Sequence, residues 1–406
     1  MLGDDDIDAV VRGLIQRVQP AGKRIVVVVP DATRTAPVAA MAARIDAAIA
    51  AEGGAAELTW MVALGTHQPM SEAALAAHFG PVSGTRRNHE WWDPDQLVSV
   101  GVIPGPVVAE VTEGRLNDPI DVRINRAVTE ADAVIICGPV FPHEVVGFSG
   151  GNKYFFPGVA GEEIIDATHW LGALITSSRL IGTLGPNPVR NLIDRAASMI
   201  PTERWCLALV VTPHGDELAA CEAGRPEEAW AAAAAVSSEI HVRRLPAPVH
   251  TVLSVMPHRY ADLWTAAKGM YKVEPVVADG GQVIIYAPHV TQVSVTHGEE
   301  LARVGYHVKD YFVGQWDHFR EFPGSVLAHS THVTGLGTWS AADGEHRRVT
   351  VTLATGIPEE TCRALSLGYL DPASVDVAEW AARAKADPGI LVVPDAGEQL
   401  YRLASS

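Results

Sequence analysis

Apolar residues recur near the N-terminus with a helical period. Ile7, Val10, Val11, Leu14, Ile15 and Val18 fall on one stripe, which predicts an amphipathic helix. The next run, Arg24–Pro30 (RIVVVVP), is apolar without alternation, the pattern of a strand covered on both faces. Helical and strand patterns then alternate. Ala36–Ala51 predicts a helix with Pro37 in its first turn, and Glu57–Leu64 a second strand. Ala133–Cys137 and Cys206–Thr212 predict further strands, with helices over Glu162–Leu174, Pro188–Met199 and Pro226–Ile240. Arg243–His250 (RRLPAPVH) carries two prolines and reads as a linker. A second alternating series follows. It has strands at Thr251–Met256 and Gln282–Ala287, a helix near Ala261–Ala278 between them, and later strands at Arg348–Ala354 and Ile390–Val393.

This alternation predicts an α/β protein. Its expected form is two α/β domains with largely parallel sheets flanking an interdomain active-site cleft. Residues 1–245 form the N-terminal, cofactor-binding domain and residues 246–406 a C-terminal domain closing the cleft. A chain of 406 residues, 48% of them hydrophobic, has ample material for two cores.

The net charge of −17 argues against nucleic acid as a partner. An anionic ligand would need a local cationic site, which directs attention to isolated Arg and Lys beside motifs. The four cysteines form no CxxC pair, and Cys137 and Cys206, in apolar strand-like runs, read as buried thiols, a usage suited to a reducing compartment. The acidic N-terminus (MLGDDDIDAV) lacks the features of a signal peptide, and no apolar run reaches membrane-spanning length. The expected setting is therefore the cytoplasm, without membrane contact.

In open α/β sheets, ligands gather beyond the carboxyl ends of the strands. Asp31-Ala32-Thr33-Arg34, Gly65-Thr66-His67, the segment holding His143, and Lys268 all follow predicted strands. The densest segment is Phe141–Gly161 (FPHEVVGFSGGNKYFFPGVAG). Ser149, Gly150 and Gly151 could converge backbone N–H groups on a cofactor phosphate. Lys153 offers a cation or a nucleophilic amine, and His169 follows in a helical stretch. Each residue alone also fits a structural role. His89 reads as a structural histidine in a Trp-rich loop, and His329 and His332 as part of a polar loop.

Gly147–Gly151 also satisfies G-x-S-x-G, so a serine hydrolase using Ser149 is an alternative. Pro157 argues against the helix that such an elbow requires. Pyridoxal phosphate on Lys153 and a non-catalytic nickel- or nucleotide-binding protein are further alternatives.

Four segments together resemble the lactate racemase family: PDATRTAP from Pro30, ALGTHQP from Ala63, PHEVVGFSGGNKYFFPG from Pro142 and AAKGM from Ala266. The resemblance implies a racemase or epimerase that inverts C2 of a 2-hydroxy acid through a 2-keto acid, by reversible hydride transfer to a nickel-pincer nucleotide. It implies that Lys153 carries this cofactor covalently and that His169 is a nickel ligand. His67 and His143 match the paired acid/base residues, and Arg34 and Lys268 match the cations that hold the substrate carboxylate. Asp31 matches a polar residue near the site. Cofactor-synthesis proteins are implied as partners, and a homodimer is the expected assembly. The chain departs from the pattern at Ala32, often histidine in the family, and at Trp264-Thr265, where lactate racemases tend to carry Tyr-Gln. The substrate class implied is thus a 2-hydroxy acid, with lactate itself not assigned.

Overall fold

A strand buried on both faces needs neighbours on both sides, and the run Arg24–Pro30 finds them. In the computed structural model, which describes all residues except Thr66, His214, Asp216, Ser405 and Ser406, this strand is central to a six-stranded sheet. In chain order the strands are β1 (Arg24–Pro30), β2 (Glu57–Ala63), β3 (Thr85–Asn88), β4 (Ala133–Pro139), β5 (Glu203–Val211) and β6 (Leu218–Gly224). Their spatial order is β6-β5-β4-β1-β2-β3. All pairings are parallel except β5 with β6, which is antiparallel.

Alternate residues of the sheet supply one core. Val27 and Val29 of β1, Trp60 and Val62 of β2, Ile135 and Cys137 of β4, and Leu207 and Leu209 of β5 belong to the same buried cluster. Helices Asp4–Val18 and Val38–Ala51 cover that face through Val11, Leu14, Ile15, Met41 and Ile45. The period of two along the strands meets the period of three to four along the helices, as layered packing requires.

The later strands are β7 (Val249–Val255), β8 (Val277–Ala287), β9 (Thr350–Thr355), β10 (Gly368–Tyr369) and β11 (Ile390–Val393). They form a five-stranded parallel sheet in the order β10-β9-β8-β7-β11. Leu253, Ile284, Ala354 and Val375 form a core cluster there.

The chain divides into two compact units. Unit 1 comprises Met1–Phe141, Phe148–Thr168 and Leu184–Ile240; unit 2 comprises Pro142–Gly147, His169–Thr183 and His241–Ser406. A single cut after residue 245 therefore does not describe the division, because two short excursions from the first half belong to unit 2.

Two further expectations are corrected. Arg243–His250 is not a linker: Val242–Leu245 pairs in parallel with Leu400–Leu403, and β7 begins at Val249. The helix expected over Ala261–Ala278 is broken into Leu263–Ala266, Lys268–Tyr271 and a 3-10 turn at Glu274–Val276. Pro275 lacks the N–H that would continue it, and Val277 already enters β8. Among the described residues, no helix is long and apolar enough to cross a membrane.

Trp60 is fully buried and its indole N–H donates to the Ser83 carbonyl at 2.7 Å. Trp60→Ala should cost about 3–5 kcal/mol of stability, read as a lower urea midpoint. An unchanged midpoint would show that this cluster does not hold the sheet.

Candidate functional site

Pro30 of β1 pairs with Ala63 of β2, so both chains leave the sheet at the same level. The side chains that follow meet there. His67 Nδ1 lies 2.6 Å from Asp31 Oδ2. Asp31 Oδ1 accepts from the Thr33 N–H at 3.2 Å and the Thr33 hydroxyl at 2.7 Å. Burial alone would raise the Asp31 pKa, but His67, Thr33 and Arg34 hold it well below the usual carboxylate range. A permanent anion opposite Nδ1 keeps the ring hydrogen on that nitrogen and leaves the lone pair on Nε2. His67 is thereby oriented as a base. Arg34 is half-buried, and its N–H closes a turn onto the Asp31 carbonyl at 3.3 Å.

The loop of His67 is tied to the turn of Lys153. The Gly65 N–H donates to the Gly158 carbonyl at 3.1 Å, and the Gly158 N–H to the Lys153 carbonyl at 3.2 Å. Lys153 sits on a 3-10 turn, Gly151–Tyr154, in which its three companions are buried while it is half-buried. The amide of Asn152 donates to Asp194 at 2.9 Å and to Glu227 at 2.7 Å, and its oxygen accepts from Arg204 at 3.3 Å. Tyr154 packs its hydroxyl over Gly138, where any Cβ would collide with it. Asp31, Arg34, His67 and Lys153 thus gather at the carboxyl edge of the first sheet, within unit 1.

Ser149, Gly150 and Gly151 do a different job from the phosphate cradle expected. The Ser149 hydroxyl accepts from the Phe141 N–H at 2.9 Å and reaches the Pro139 carbonyl at 3.4 Å. The Ser149 N–H donates to the Phe141 carbonyl at 2.8 Å, and the Gly151 N–H faces the Cys206 thiol. These donors are committed inside the fold. The same bonds deprive Ser149 of the exposed hydroxyl that a serine hydrolase needs. The two glycines serve close packing: a Cβ on Gly150 would lie 2.6 Å from Val140, and one on Gly151 2.8 Å from Trp230. Both have positive φ, +89° and +59°.

The carbonyls of this turn are held by a residue the motifs did not reveal. Arg190, 2% exposed, donates to the Phe148 carbonyl at 2.6 Å and the Gly150 carbonyl at 3.2 Å. Its guanidinium lies 4.0 Å from the centre of the Trp230 ring, whose N–H donates to the Ser149 carbonyl at 3.0 Å. Burial pushes Arg190 down to about 10, which leaves it charged at neutral pH.

The other candidates belong to unit 2. His143 is buried, with Nδ1 3.2 Å from the Val145 N–H and 3.3 Å from a Glu144 carboxylate oxygen. Lys268 is buried in the broken helix, its ammonium donating to the Thr265 carbonyl at 3.3 Å and lying 5.0 Å from the Tyr260 ring centre. Lys272, also buried, donates to the Pro142 carbonyl and so ties this helix to the His143 segment. His169 is half-buried on helix Glu162–Ile175. The adjacent Trp170 stacks on Trp316 at 5.3 Å, with planes 6° apart.

His329 and His332 do not lie in a polar loop. Both are buried in helix Gly324–Thr334. His329 stacks on Trp264 at 4.2 Å and donates from Nε2 to its carbonyl at 3.1 Å; burial pushes it down to about 3. His89 is interior, bonded to the Ala160 carbonyl at 2.9 Å and the Asn125 amide at 3.1 Å.

Among the described residues, no three His, Cys, Asp or Glu side chains cluster as a metal site. A lone imidazole such as His169 can supply one ligand, and a metal held there would draw its others from a bound group. A half-open lysine on a rigid turn fits a covalent tether for such a group.

These features define a parallel α/β protein with polar groups gathered at its strand ends. Residues 11–181 match the family model of the lactate racemase N-terminal domain. It is 25% identical over 277 residues to the lactate racemase of Thermoanaerobacterium thermosaccharolyticum, a stretch covering 67% of this chain and 62% of that protein. It is 26% identical over 171 residues to the lactate racemase of Lactiplantibacillus plantarum, covering 41% and 35%. The chain thus matches less than two thirds of the length of either curated relative. A Thermotoga maritima protein of known crystal structure is 32% identical with a TM-score of 0.91, covering 99% of this chain and 98% of that one. The lactate racemase apoprotein from T. thermosaccharolyticum superposes with a TM-score of 0.74 at 20% identity over 98% and 93% of the two chains, a likeness of fold.

The depressed Asp31 pKa sets a pH dependence. The unfolded carboxyl titrates near 3.8 and the folded one lower, so its charge stabilises the fold above that value. The contribution fades as pH falls from there through the folded value. Wild type should exceed Asp31→Asn in stability by about 1–3 kcal/mol at pH 7, with a smaller gap at about pH 3 in urea titrations. A gap that stays constant between the two would contradict this pairing.

Proposed function

We propose that the chain inverts C2 of a 2-hydroxy acid and requires a nickel-pincer nucleotide. The observation that carries this reading is the Asp31–His67 pair at 2.6 Å, tied through Gly65 and Gly158 to the turn of Lys153. A fixed base beside a braced lysine is what proton transfer next to a tethered cofactor requires. The match of residues 11–181 to the lactate racemase N-terminal domain model supports this reaction class.

Lys153 would hold the cofactor covalently and His169 would ligate its nickel. When bound, the group supplies a reversible acceptor for the hydrogen on the substrate carbon, which no side chain can provide. The protein's own residues do the rest. Arg34 grips the substrate carboxylate with its planar fork, and Lys268 adds a desolvated point charge. His67 takes or returns the hydroxyl proton at Nε2 with Asp31 stabilising the imidazolium that forms. His143 performs the same task for the opposite enantiomer. Trp264 and Thr265 stand where lactate racemases tend to carry Tyr-Gln, so the substrate is proposed only as a 2-hydroxy acid.

The four free, buried cysteines suit the cytoplasm, where the cofactor-synthesis proteins would load this chain. A homodimer is the assembly proposed for it.

Protein co-expressed with the cofactor-synthesis machinery should contain nickel and an added mass mapping to Lys153. Lys153→Ala should lose the adduct, as measured by intact mass. His67→Ala and His143→Ala should keep nickel and lose inversion by about 10²–10⁴-fold, followed by chiral chromatography. An unmodified wild-type mass under these conditions, or full inversion by either histidine variant, would defeat the assignment.

A further inference from the structure

The proposed inversion asks His143, His169 and Lys268 to keep fixed positions. Two of them stand on excursions of the chain. Pro142–Gly147 and His169–Thr183 belong to unit 2, while the residues just before and after each belong to unit 1. So short a segment as Pro142–Gly147 builds no core of its own, and its place is set by what it touches.

The two excursions brace each other. The Gly182 N–H donates to the Gly147 carbonyl at 2.8 Å. Gly172, on the same helix as His169, lies against Val145: a Cβ there would come within 2.9 Å of the Val145 side chain and 3.2 Å of its backbone. Val145 is also the residue whose N–H donates to His143 Nδ1 at 3.2 Å. The ring is thus held from its C-terminal side through a residue packed on the His169 helix.

From its N-terminal side the hold passes through Lys272. The ammonium donates to the Pro142 carbonyl, the oxygen of the peptide that joins Pro142 to His143. It also donates to the Glu398 carbonyl at 3.3 Å, and the Lys272 carbonyl accepts the Tyr401 N–H at 2.8 Å. Lys272 is therefore stitched to the C-terminal segment at two points. That segment is itself fixed, since Leu400–Leu403 pairs in parallel with Val242–Leu245. It reaches the second excursion as well. Arg402 donates to the Ile181 carbonyl, and the fully buried Leu400 closes on Gly182, where a Cβ would lie 2.4 Å from its side chain. Lys272 directly follows the short helix Lys268–Tyr271, with Lys268 at its start.

A lysine in this place is expensive to desolvate. Only 2% of it is exposed, and burying an ammonium is unfavourable unless its donors are engaged. A methionine would fill similar space without that penalty. An apolar chain could not, however, hold the carbonyl of the His143 peptide in one orientation. A charged donor does so with a bond stronger than a neutral one.

We propose that Lys272 is a positioning residue for His143. Its ammonium locks the peptide that carries the histidine to the segment Glu398–Leu403, which holds the His169 excursion in the same frame. The inference rests on the inversion reading given above. Lys272 acts through the backbone and moves no proton. A misplacement of about 1 Å in an acid/base group can slow the chemistry about a hundredfold. The groups that hold the substrate carboxylate are left as they were.

The test uses the full chain labelled with ¹⁵N-histidine, as wild type, Lys272→Met and Lys272→Gln. In the protein without cofactor, the His143 ring signals should shift and broaden in Lys272→Met. Those of His307, bonded to Glu345, and of His89, bonded to the Ala160 carbonyl, should stay in place. Lys272→Gln retains a neutral donor and should shift the His143 signals less; it decides the matter should Lys272→Met lose its cooperative thermal transition. Unchanged His143 signals in a folded variant would overturn the proposal. Equal changes at all three histidines, the mark of a general loosening, would overturn it too. In the nickel-loaded protein, acting on a 2-hydroxy acid it converts, Lys272→Met should lower kcat at least about tenfold and change KM less than about twofold. A raised KM with kcat unchanged would instead place Lys272 among the substrate-holding groups and defeat the positioning role. Failure of the loaded wild type to invert any 2-hydroxy acid would count against the inversion reading, and the ring signals would still decide whether Lys272 fixes His143.

Discussion

The register of β1 against β2 is the constraint on which the first unit depends. Val27 pairs with Trp60 and Pro30 with Ala63, which puts the inward residues of both strands on one face and ends the strands together. A slip of one residue would turn Trp60 and Val62 out of the core and carry His67 away from Asp31. The same register continues into β4, where Val28 faces Ile136. Core packing and site geometry are therefore fixed by the same hydrogen bonds. The apolar sequence VVVV does not select that register by itself; the large Trp60 and the helices above it do.

Around Lys153 the fold spends buried polar groups on shape. Arg190, Asn152 and Trp230 take up backbone oxygens and carboxylates that would otherwise be orphaned. A buried guanidinium is expensive to desolvate, and such arrangements earn little net stability. What they give is a turn with few alternatives. Removing one member would strand the others, so the network fails as a unit. A lysine whose role depends on position needs this rigidity more than it needs stability.

Much of this was legible in the sequence. Long apolar runs marked the central strands because both faces of a parallel sheet are covered. The polar clusters after them marked the strand ends. Asp31 and His67 could be placed on the same edge, though not at hydrogen-bonding distance, since 36 positions separate them. Less could be read where chemistry and local pattern diverge. Ser-Gly-Gly looked like a donor nest, but donors committed to backbone leave no mark in a sequence. Arg190 and Lys272 carry no motif, and their importance comes from burial. His329 and His332 looked like loop residues because polar spacing hides a helix whose whole circumference is covered. Pro246 and Pro248 suggested a linker, yet the chain between them and β7 is short and its flanks are strands.

The interleaved division of the chain has a consequence for biosynthesis. Pro142–Gly147 and His169–Thr183 emerge from the ribosome with unit 1, but the partners they pack with lie in His241–Ser406. At roughly 5–20 residues per second, that stretch takes on the order of ten to thirty seconds to make. During this interval the segment bearing His143 and the helix end bearing His169 have no completed neighbour. The nascent chain thus passes through a stage in which the lysine turn can already be formed while the histidines of unit 2 are still waiting for their surroundings.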